Sequence, residues 1–447
     1  MKQVKIFFVI ILLSAAYLSP MLSQAQDTKQ LSLQEAINLS ITNSKQLKAS
    51  EARNEQATGA LKEAKDNRLP NAAISGSYLR LATPVISLKT KAFGTPRPDS
   101  TGGGGTPAVN QAMYGIVNIS LPIYAGGRIR YGIESAKYLQ EAVMLDAEND
   151  KAAVILNTIN AYINLYKADV TVNVVKENLQ QSLQRDSVLS RLEQNGLLAR
   201  NDLLKAELQS SNIELSVLDA ENNRKMANVN MNLMLGLPEQ TILISDSASF
   251  EKNIRLKNVE EYEQLALQNR KDILALSFRK KAATTGIAAA KAEIYPSIAL
   301  TGGYIAADIP HLITITNAVN AGIGLQYNLG SLWKTKAKIV QAQAREKEIS
   351  ANQAQLDDAV RLHVNQDYEN FLLSRKKIEV YQKAVAQATE NYRITKNKYD
   401  NNLVNTTELL DANVSLLQSK INLAVAKADV VLAYNRLLET AGLLSAQ

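Results

Sequence analysis

The sequence contains no cysteine among its 447 residues. Disulfide bonds, thiolate metal sites and cysteine nucleophiles are therefore excluded. The two histidines, His311 and His363, are too far apart in the sequence to form a local metal-binding motif. Aromatic residues make up 5% of the chain, which is low for a protein with several large hydrophobic cores. The composition predicts no cofactor and no catalytic centre.

Proline is also scarce, and its distribution is informative. The ten prolines are absent from residues 123–237 and 311–447, and the stretches 133–195 and 331–441 lack glycine as well. Because proline disrupts helix interiors, these stretches can form very long helices. One helix over 129–194 would extend roughly 100 Å at 1.5 Å per residue, which exceeds the width of a compact domain.

The N-terminus has the pattern of an export signal. Lys2 and Lys5 precede an apolar run at 6–18, and a small-x-small pattern ends at Ala25, so we expect a signal peptide over 1–25. A membrane anchor is the alternative, but the run is shorter than the roughly 20 residues that a bilayer requires. No apolar stretch of comparable length follows, so a membrane-inserted mature chain would have to use β-strands.

The rest of the chain is an internal duplication. Residues 33–79 align with 259–305 at an offset of 226, and residues 119–237 align with 325–443 at an offset of 206. The difference in offset predicts an insertion of 20 residues in a Pro- and Gly-rich loop of the first half. The GGGG of this loop lacks the Lys-Ser/Thr that follows in a phosphate-binding loop.

Each half is predicted to contain a helix, two strands, a long helix and a returning helix. The first repeat covers 26–238, a linker covers 239–257, and the second repeat covers 258–447. In the two repeats the first helices fall at 32–67 and 258–293, and the later elements are strands 71–82, 113–124, 297–307 and 319–330, long helices 129–194 and 334–400, and returning helices 201–236 and 406–442.

The strands alternate in polarity, as strands of a membrane barrel do. Ile119, Leu121 and Ile123 point to one side, and the residues between them point to the other. Each strand approaches the 9–11 residues that cross a bilayer obliquely. Four strands cannot close a channel, so closure requires two chains or three.

Three segments of the sequence resemble the TolC-type outer-membrane efflux and secretion channels: LPIYAGGR at 121–128, NGLLARNDLLKAE at 195–207 and YDNNLVNTTELLDA at 399–412. This resemblance implies an α+β membrane protein of long antiparallel helices, with four transmembrane strands per chain. It also implies a homotrimer in the outer membrane of a Gram-negative bacterium, in which three sets of four strands form a 12-stranded barrel above a helical periplasmic tunnel. The implied partners are a periplasmic adaptor and an inner-membrane pump.

The resemblance also implies a gate at the periplasmic end of the tunnel. The acidic residues of the entrance correspond to Glu408 and Asp411, which share a helix face and would form rings of carboxylates in a trimer. The alternative is that they are solvated acids at a helix start. The family's gate tyrosine corresponds to Tyr399, whereas the usual gate arginine corresponds to Val404. A Tyr–Arg–Asp latch would therefore lack its arginine in this chain.

The adaptor contact is expected at the hairpin tips, on Gly196, Leu197, Leu198, Leu403 and Val404. Packing within the hairpins is the alternative for these apolar residues. Trp333 follows the last strand beside two lysines, and it is either an anchor in the lipid interface or a residue that packs at the rim.

The function predicted from these patterns is a passive exit duct of the outer membrane, serving efflux or type I secretion. A periplasmic coiled-coil scaffold without a pore is the alternative, although such a scaffold has no use for four bilayer-length strands. The excess of positive charge is spread along the helices, so nucleic-acid binding is not expected.

Overall fold

A computed structural model of the chain describes residues 28–82, 109–246, 256–310, 313–401 and 403–444. The expected signal peptide, the long Pro- and Gly-rich loop and His311 lie outside these residues.

The described residues form eight helices and six strands. In chain order they are β1 (Thr28–Leu31), α1 (Leu33–Asn43), α2 (Lys45–Asp66), β2 (Asn71–Arg80), β3 (Gln111–Tyr124), α3 (Arg128–Gln194), α4 (Arg200–Leu235), β4 (Ile242–Ser245), α5 (Val259–Asn269), α6 (Lys271–Ala292), β5 (Ser297–Ile309), β6 (Ile313–Gln326), α7 (Ser331–Asp400) and α8 (Thr406–Thr440).

Two helices are exceptionally long. Helix α3 has 67 residues and α7 has 70 residues. Both run through stretches that lack internal proline, and each ends just before a tight turn. Helix α7 begins three residues before the predicted start because Ser331 Oγ donates a hydrogen bond of 2.7 Å to the Asn328 carbonyl and closes the first turn.

The first helix of each half is divided, although the sequence predicted one continuous helix in each case. The expected helix over 32–67 is broken at Ser44, whose backbone is extended. Ser44 Oγ accepts the Leu47 N–H at 3.2 Å and so caps α2. In the second half the break lies at Arg270, whose backbone is extended, and the Asp272 carboxylate in the first turn of α6 accepts the Ile273 N–H at 2.9 Å. A local hydrogen bond from a side chain to the backbone thus accompanies each restart.

Strands β2, β3, β5 and β6 form one antiparallel sheet in that spatial order. The β3–β5 pairing therefore joins the two halves of the duplication. Across the sheet, one row consists of Ile74, Val117, Tyr304 and Val319, and it lies on one face. The adjacent row, on the opposite face, consists of Ala73, Asn118, Gly303 and Asn320. The sheet thus has an apolar face and a more polar face.

The second strand pair differs from its prediction. The expected strands at 297–307 and 319–330 are found at Ser297–Ile309 and Ile313–Gln326, joined by a short hairpin. A register shift between Ile305 and Ala307, opposite the positive-φ residue Asn317, keeps the extended strands paired. Strand β6 ends early because the turn that starts α7 occupies residues 328–330.

A short ribbon lies within the segment that we expected to be a linker. Strand β4 falls inside 239–257 and pairs in parallel with β1 near the start of the described chain. The hydroxyl of buried Tyr162 contacts the ends of both strands, donating to the Leu31 carbonyl and accepting the Asp246 N–H, each at 2.8 Å. Strands of four residues are too short to produce a readable alternation, so β1 and β4 were not predicted from the sequence.

The chain divides into two compact units. The first comprises Met1–Ser50, Ala147–Lys271 and Asp357–Gln447, and its described part contains the ribbon and the ends of both long hairpins. The second comprises Glu51–Asp146 and Asp272–Leu356 and contains the four-stranded sheet. No helix in the described ranges is both long enough and apolar enough to cross a membrane.

Candidate functional site: the hairpin ends

Each long helix reverses through a tight turn of the same type. At the first turn Gly196 has a φ of 75°, its N–H donates to the Glu193 carbonyl, and the Leu197 N–H donates to the Leu192 carbonyl, both at 2.8 Å. This pair of bonds is the Schellman arrangement that satisfies the last carbonyls of a helix. At the second turn the Leu403 N–H donates to the Lys398 carbonyl at 2.8 Å. The duplicated sequence therefore forms duplicated turns.

The predicted tip residues differ in exposure. Leu197 is 74% exposed and Leu403 is 73% exposed, so both apolar side chains point into solvent in the isolated chain. Leu198 is half-buried against the cluster of Leu189, Leu203 and Ala206, and Val404 is also half-buried. The alternative of internal packing thus fits Leu198, whereas Leu197 and Leu403 are available to a partner.

The two predicted entrance acids lie at the start of α8. Asn405 caps this helix by accepting the Glu408 N–H at 3.0 Å. Both Glu408 and Asp411 are exposed, and no described residue forms an ion pair with either carboxylate. The first hairpin carries Asp202 and Lys205 at the matching positions, and these two form an ion pair at 3.4 Å. At these matching positions, the second hairpin therefore carries two carboxylates that are unpaired among the described residues, whereas the first hairpin carries an ion pair.

Tyr399 is half-buried against the first hairpin. Its ring packs on the Leu189, Leu203 and Ala206 cluster of the first hairpin, and its hydroxyl lies 3.4 Å from Thr406 Oγ1. The structure thus separates the three predicted gate residues into two exposed acids and one tyrosine that packs between the hairpins.

A group of polar residues that was not predicted from the sequence lies between the helices. We define the polar layer as Asn178, Ser182, Arg185 and Asp186 of α3, Ser210 of α4 and Asn413 of α8. Burial lowers the pKa of the Arg185 guanidinium below its ordinary value, and the nearby Asp186, Tyr392 and Tyr399 oppose this shift. Positions 175, 178, 182, 185 and 189 follow a heptad spacing, so polar residues at inward positions were a signal available in the sequence.

Trp333 lies among other exposed aromatic residues in the unit that contains the sheet. It is 67% exposed on the first turn of α7, while Ser331 and Thr335 beside it are buried. Three exposed tyrosines flank the same ends of the strands, namely Tyr124, Tyr295 and Tyr327. Tyrosine and tryptophan at the ends of membrane strands typically lie at the level of the lipid headgroups.

Within the described ranges, no three His, Asp or Glu side chains are grouped so that they could hold a metal ion.

Comparison with known proteins decides the family. The family model for "Outer membrane efflux protein" matches residues 36–237 and 263–443, which covers both halves of the duplication. The chain belongs to the outer membrane efflux protein family. Its members are channels of the outer membrane, not a family of enzymes, and this chain is an outer-membrane exit duct of that kind.

Two relatives align with most of this chain. Outer membrane efflux protein BepC of Brucella suis biovar 1 (strain 1330) is 24% identical over 414 residues, which is 88% of this chain and 87% of BepC. Toxin and drug export protein A of Aggregatibacter actinomycetemcomitans is 23% identical over 74% of this chain and 72% of the relative.

A solved structure supports the fold. The Campylobacter jejuni CmeC outer membrane channel superposes with a TM-score of 0.75 at 18% identity, covering 92% of this chain and 85% of CmeC. The fold of this family member is therefore that of an outer-membrane efflux channel, with long helices and a smaller strand portion.

Proposed function

We propose that three copies of this chain form the exit duct of a tripartite efflux or type I secretion system. Substrates delivered by an inner-membrane pump pass through the duct passively, and a periplasmic adaptor joins duct and pump. The observation that carries the proposal is the four-stranded sheet, because one of its faces is apolar and exposed.

The apolar face matches a lipid environment. Ile74 of β2 is 84% exposed and Val319 of β6 is 77% exposed, although both lie in regular paired strands. Exposed apolar side chains in one contiguous row are unusual for a water-soluble sheet. The opposite face presents Asn118, Ser120 and Asn320, which suits a water-filled lumen.

The edges of the sheet support a trimer. Among the described residues, β2 and β6 each pair on one side alone. Unpaired backbone groups are not tolerated in lipid, so the edges must pair with other chains. Two chains would give about eight strands, whose interior is filled by side chains, whereas three give about 12 and leave room for a channel.

The hairpin ends support docking and ion selection. Leu197 and Leu403 are exposed apolar residues at adjacent turns, as expected of a surface that an adaptor covers. Threefold symmetry would arrange Glu408 and Asp411 as rings of carboxylates that attract cations. We propose no enzymatic activity for the chain, and a scaffold without a pore would not require the amphipathic sheet.

The proposal is tested by determining the cellular location and the assembled mass of the native protein. We expect the full-length chain in the outer-membrane fraction, and we expect native mass spectrometry of the detergent-extracted protein to give the mass of three mature chains. Recovery of the folded protein wholly from the soluble periplasm would refute the proposal.

The entrance acids are tested by block of conductance in planar bilayers with La³⁺ as the probe. The variant Glu408→Gln with Asp411→Asn should raise the half-blocking La³⁺ concentration. The matched control changes the ion-paired residues of the first hairpin, Asp202→Asn with Lys205→Gln, and should leave it unchanged. Equal block in all three proteins would remove the acids from this role.

A further inference from the structure

A polar layer interrupts the apolar packing between the two hairpins. On one side of the layer, Val175, Ile213 and Val217 form an apolar cluster with Ile421 of α8 packed against it. On the other side, toward the turns, the cluster of Leu189, Leu203 and Ala206 packs against Tyr399 of α7. Between these clusters the inward positions of three helices are polar.

Most contacts of the layer stay within the first hairpin. Ser182 and Ser210 hydroxyls lie 2.5 Å apart, Arg185 Nη2 donates to Ser182 Oγ at 2.6 Å, and Ser210 Oγ donates to the Asp186 carboxylate. These bonds join α3 to α4, which the turn at Gly196 already connects.

One bond of the layer joins the two hairpins. The Asn413 amide of α8 donates to Asn178 Oδ1 of α3 at 3.0 Å, and the two residues are 4% and 5% exposed. Lys167 and Asp429 also pair α3 with α8, but that pair is partly solvated. A buried amide pair is more specific than the apolar contacts around it, because a displaced Asn would leave a buried polar group without a partner.

The layer is not a general property of the duplicated unit. The second-half equivalents of Asn178 and Ser182 are Ala384 and Ala388, and the equivalent of Ser210 is Leu416. The layer is also incompletely satisfied, since Asn178 Nδ2, Arg185 Nε and Asp186 Oδ1 are buried without a hydrogen bond. An apolar layer would cost less to bury, so the polar residues at this level require an explanation other than stability.

The position of Asn413 on α8 supplies that explanation. At 100° per residue, Asp411 lies about 200° and Glu408 about 140° around the helix from Asn413. The bond that holds Asn413 against α3 therefore keeps both acids on the side of α8 that faces away from the first hairpin. We propose that Asn178 and Asn413 are positioning residues, which fix the rotation of α8 and so the direction in which the entrance acids point.

The inference is tested with the variant that carries both Asn178→Leu and Asn413→Leu. Leucine has a similar size, and removal of both partners leaves no buried amide unpaired, so the fold should be retained. The matched control is Asn422→Leu, which makes the same change on α8 nine residues beyond the layer.

The first readout is a distance that does not depend on channel activity. The chain has no cysteine, so spin labels can be attached at Leu197→Cys and Thr407→Cys, which are both exposed. Labelled chains are diluted with unlabelled chains, and the distance is measured by pulsed electron double resonance. We expect one narrow distance in the parent and the control, and a distribution broadened by several ångströms in the double Leu variant, since a label on a rotating helix of roughly 10 Å diameter moves that far.

The second readout rests on the proposed function. Block of conductance by La³⁺ should weaken at least threefold in the double Leu variant and stay at the parent value in the control. An unchanged distance distribution would overturn the inference, and so would a broadened distribution with unchanged block. A parent protein that has the narrow distance but forms no channel would instead refute the proposed function.

Discussion

Replacement of Tyr162 by phenylalanine should selectively loosen the ribbon of β1 and β4. The Tyr162 side chain is fully buried, and its hydroxyl joins the Leu31 carbonyl to the Asp246 N–H with two bonds of 2.8 Å. The ring packs among Leu31, Leu165 and Leu243, so the change removes a single oxygen atom and leaves the apolar contacts in place.

The size of the effect follows from the two backbone groups that lose the Tyr162 hydroxyl as a hydrogen-bond partner. A buried polar group without its hydrogen bond costs about 1–3 kcal/mol. The Asp246 N–H and the Leu31 carbonyl lie 3.4 Å apart and can partly compensate each other. We therefore expect a loss of about 2 kcal/mol in the free energy of opening the ribbon, which corresponds to roughly a 30-fold increase in the opening equilibrium.

Hydrogen exchange with mass spectrometry measures this change. Peptides that contain Thr28–Leu31 and Ile242–Ser245 should exchange roughly 30-fold faster in Tyr162→Phe than in the parent protein. A peptide from the middle of α7 is the internal control and should exchange at the parent rate. Equal protection of the ribbon in both proteins would show that the Tyr162 hydroxyl does not hold the strands together.

Three further perturbations have expected outcomes. Burial raises the pKa of the Tyr162 hydroxyl to about 12, above the ordinary value of 10.0. The stabilisation that this hydroxyl provides should therefore be complete below pH 10 and lost as the pH rises through 12. A pH series of hydrogen exchange in the ribbon should show this loss in the parent protein but not in Tyr162→Phe. Gly303→Ala should reduce the yield of assembled protein in a gel assay, because the new Cβ would lie 2.5 Å from the Val117 carbonyl oxygen, whereas Gly322→Ala meets nothing within 4 Å and should assemble normally. Arg224→Ala should speed exchange of the ribbon roughly tenfold, since Arg224 Nε donates to Asp169 at 2.6 Å and its Nη2 donates to the Leu243 carbonyl at 3.2 Å; an unchanged rate would exclude this brace.

The long-range organisation could be predicted from the sequence because it depends on simple patterns. Helices α3 and α7 run through stretches without internal proline, and glycine is absent from 133–195 and from 331–441. The alternation at 118–123 indicated a two-faced strand, and β3 indeed pairs on both sides in one sheet. Such features extend over many residues, so single deviations do not obscure them.

Short and tertiary features could not be predicted in the same way. Strands β1 and β4 have four residues each and depend on the distant Tyr162, which is a contact that periodicity does not report. The helix breaks at Ser44 and Arg270 coincide with single local hydrogen bonds, from the Leu47 N–H to Ser44 and from the Ile273 N–H to Asp272. The bond between Asn178 and Asn413 spans 235 positions of the sequence, so only the structure brings these residues together.

The roles of the predicted gate and tip residues stay predictions. The acids Glu408 and Asp411 are exposed, as a lumen-facing role requires, but exposure is also what a solvated helix start produces. Tyr399 packs between the hairpins. Position 404, where the family usually has the gate arginine, is occupied by Val404. Any latch at this end must therefore use groups other than a Tyr–Arg contact at that position.

Single-channel recording of the purified, full-length protein in planar lipid bilayers tests the central claim most directly. If three sheets close around a water-filled lumen, addition of the protein should produce discrete, uniform conductance steps at low concentration. Folded protein with the mass of three chains that inserts into the bilayer and yet gives no conductance would contradict the exit-duct function.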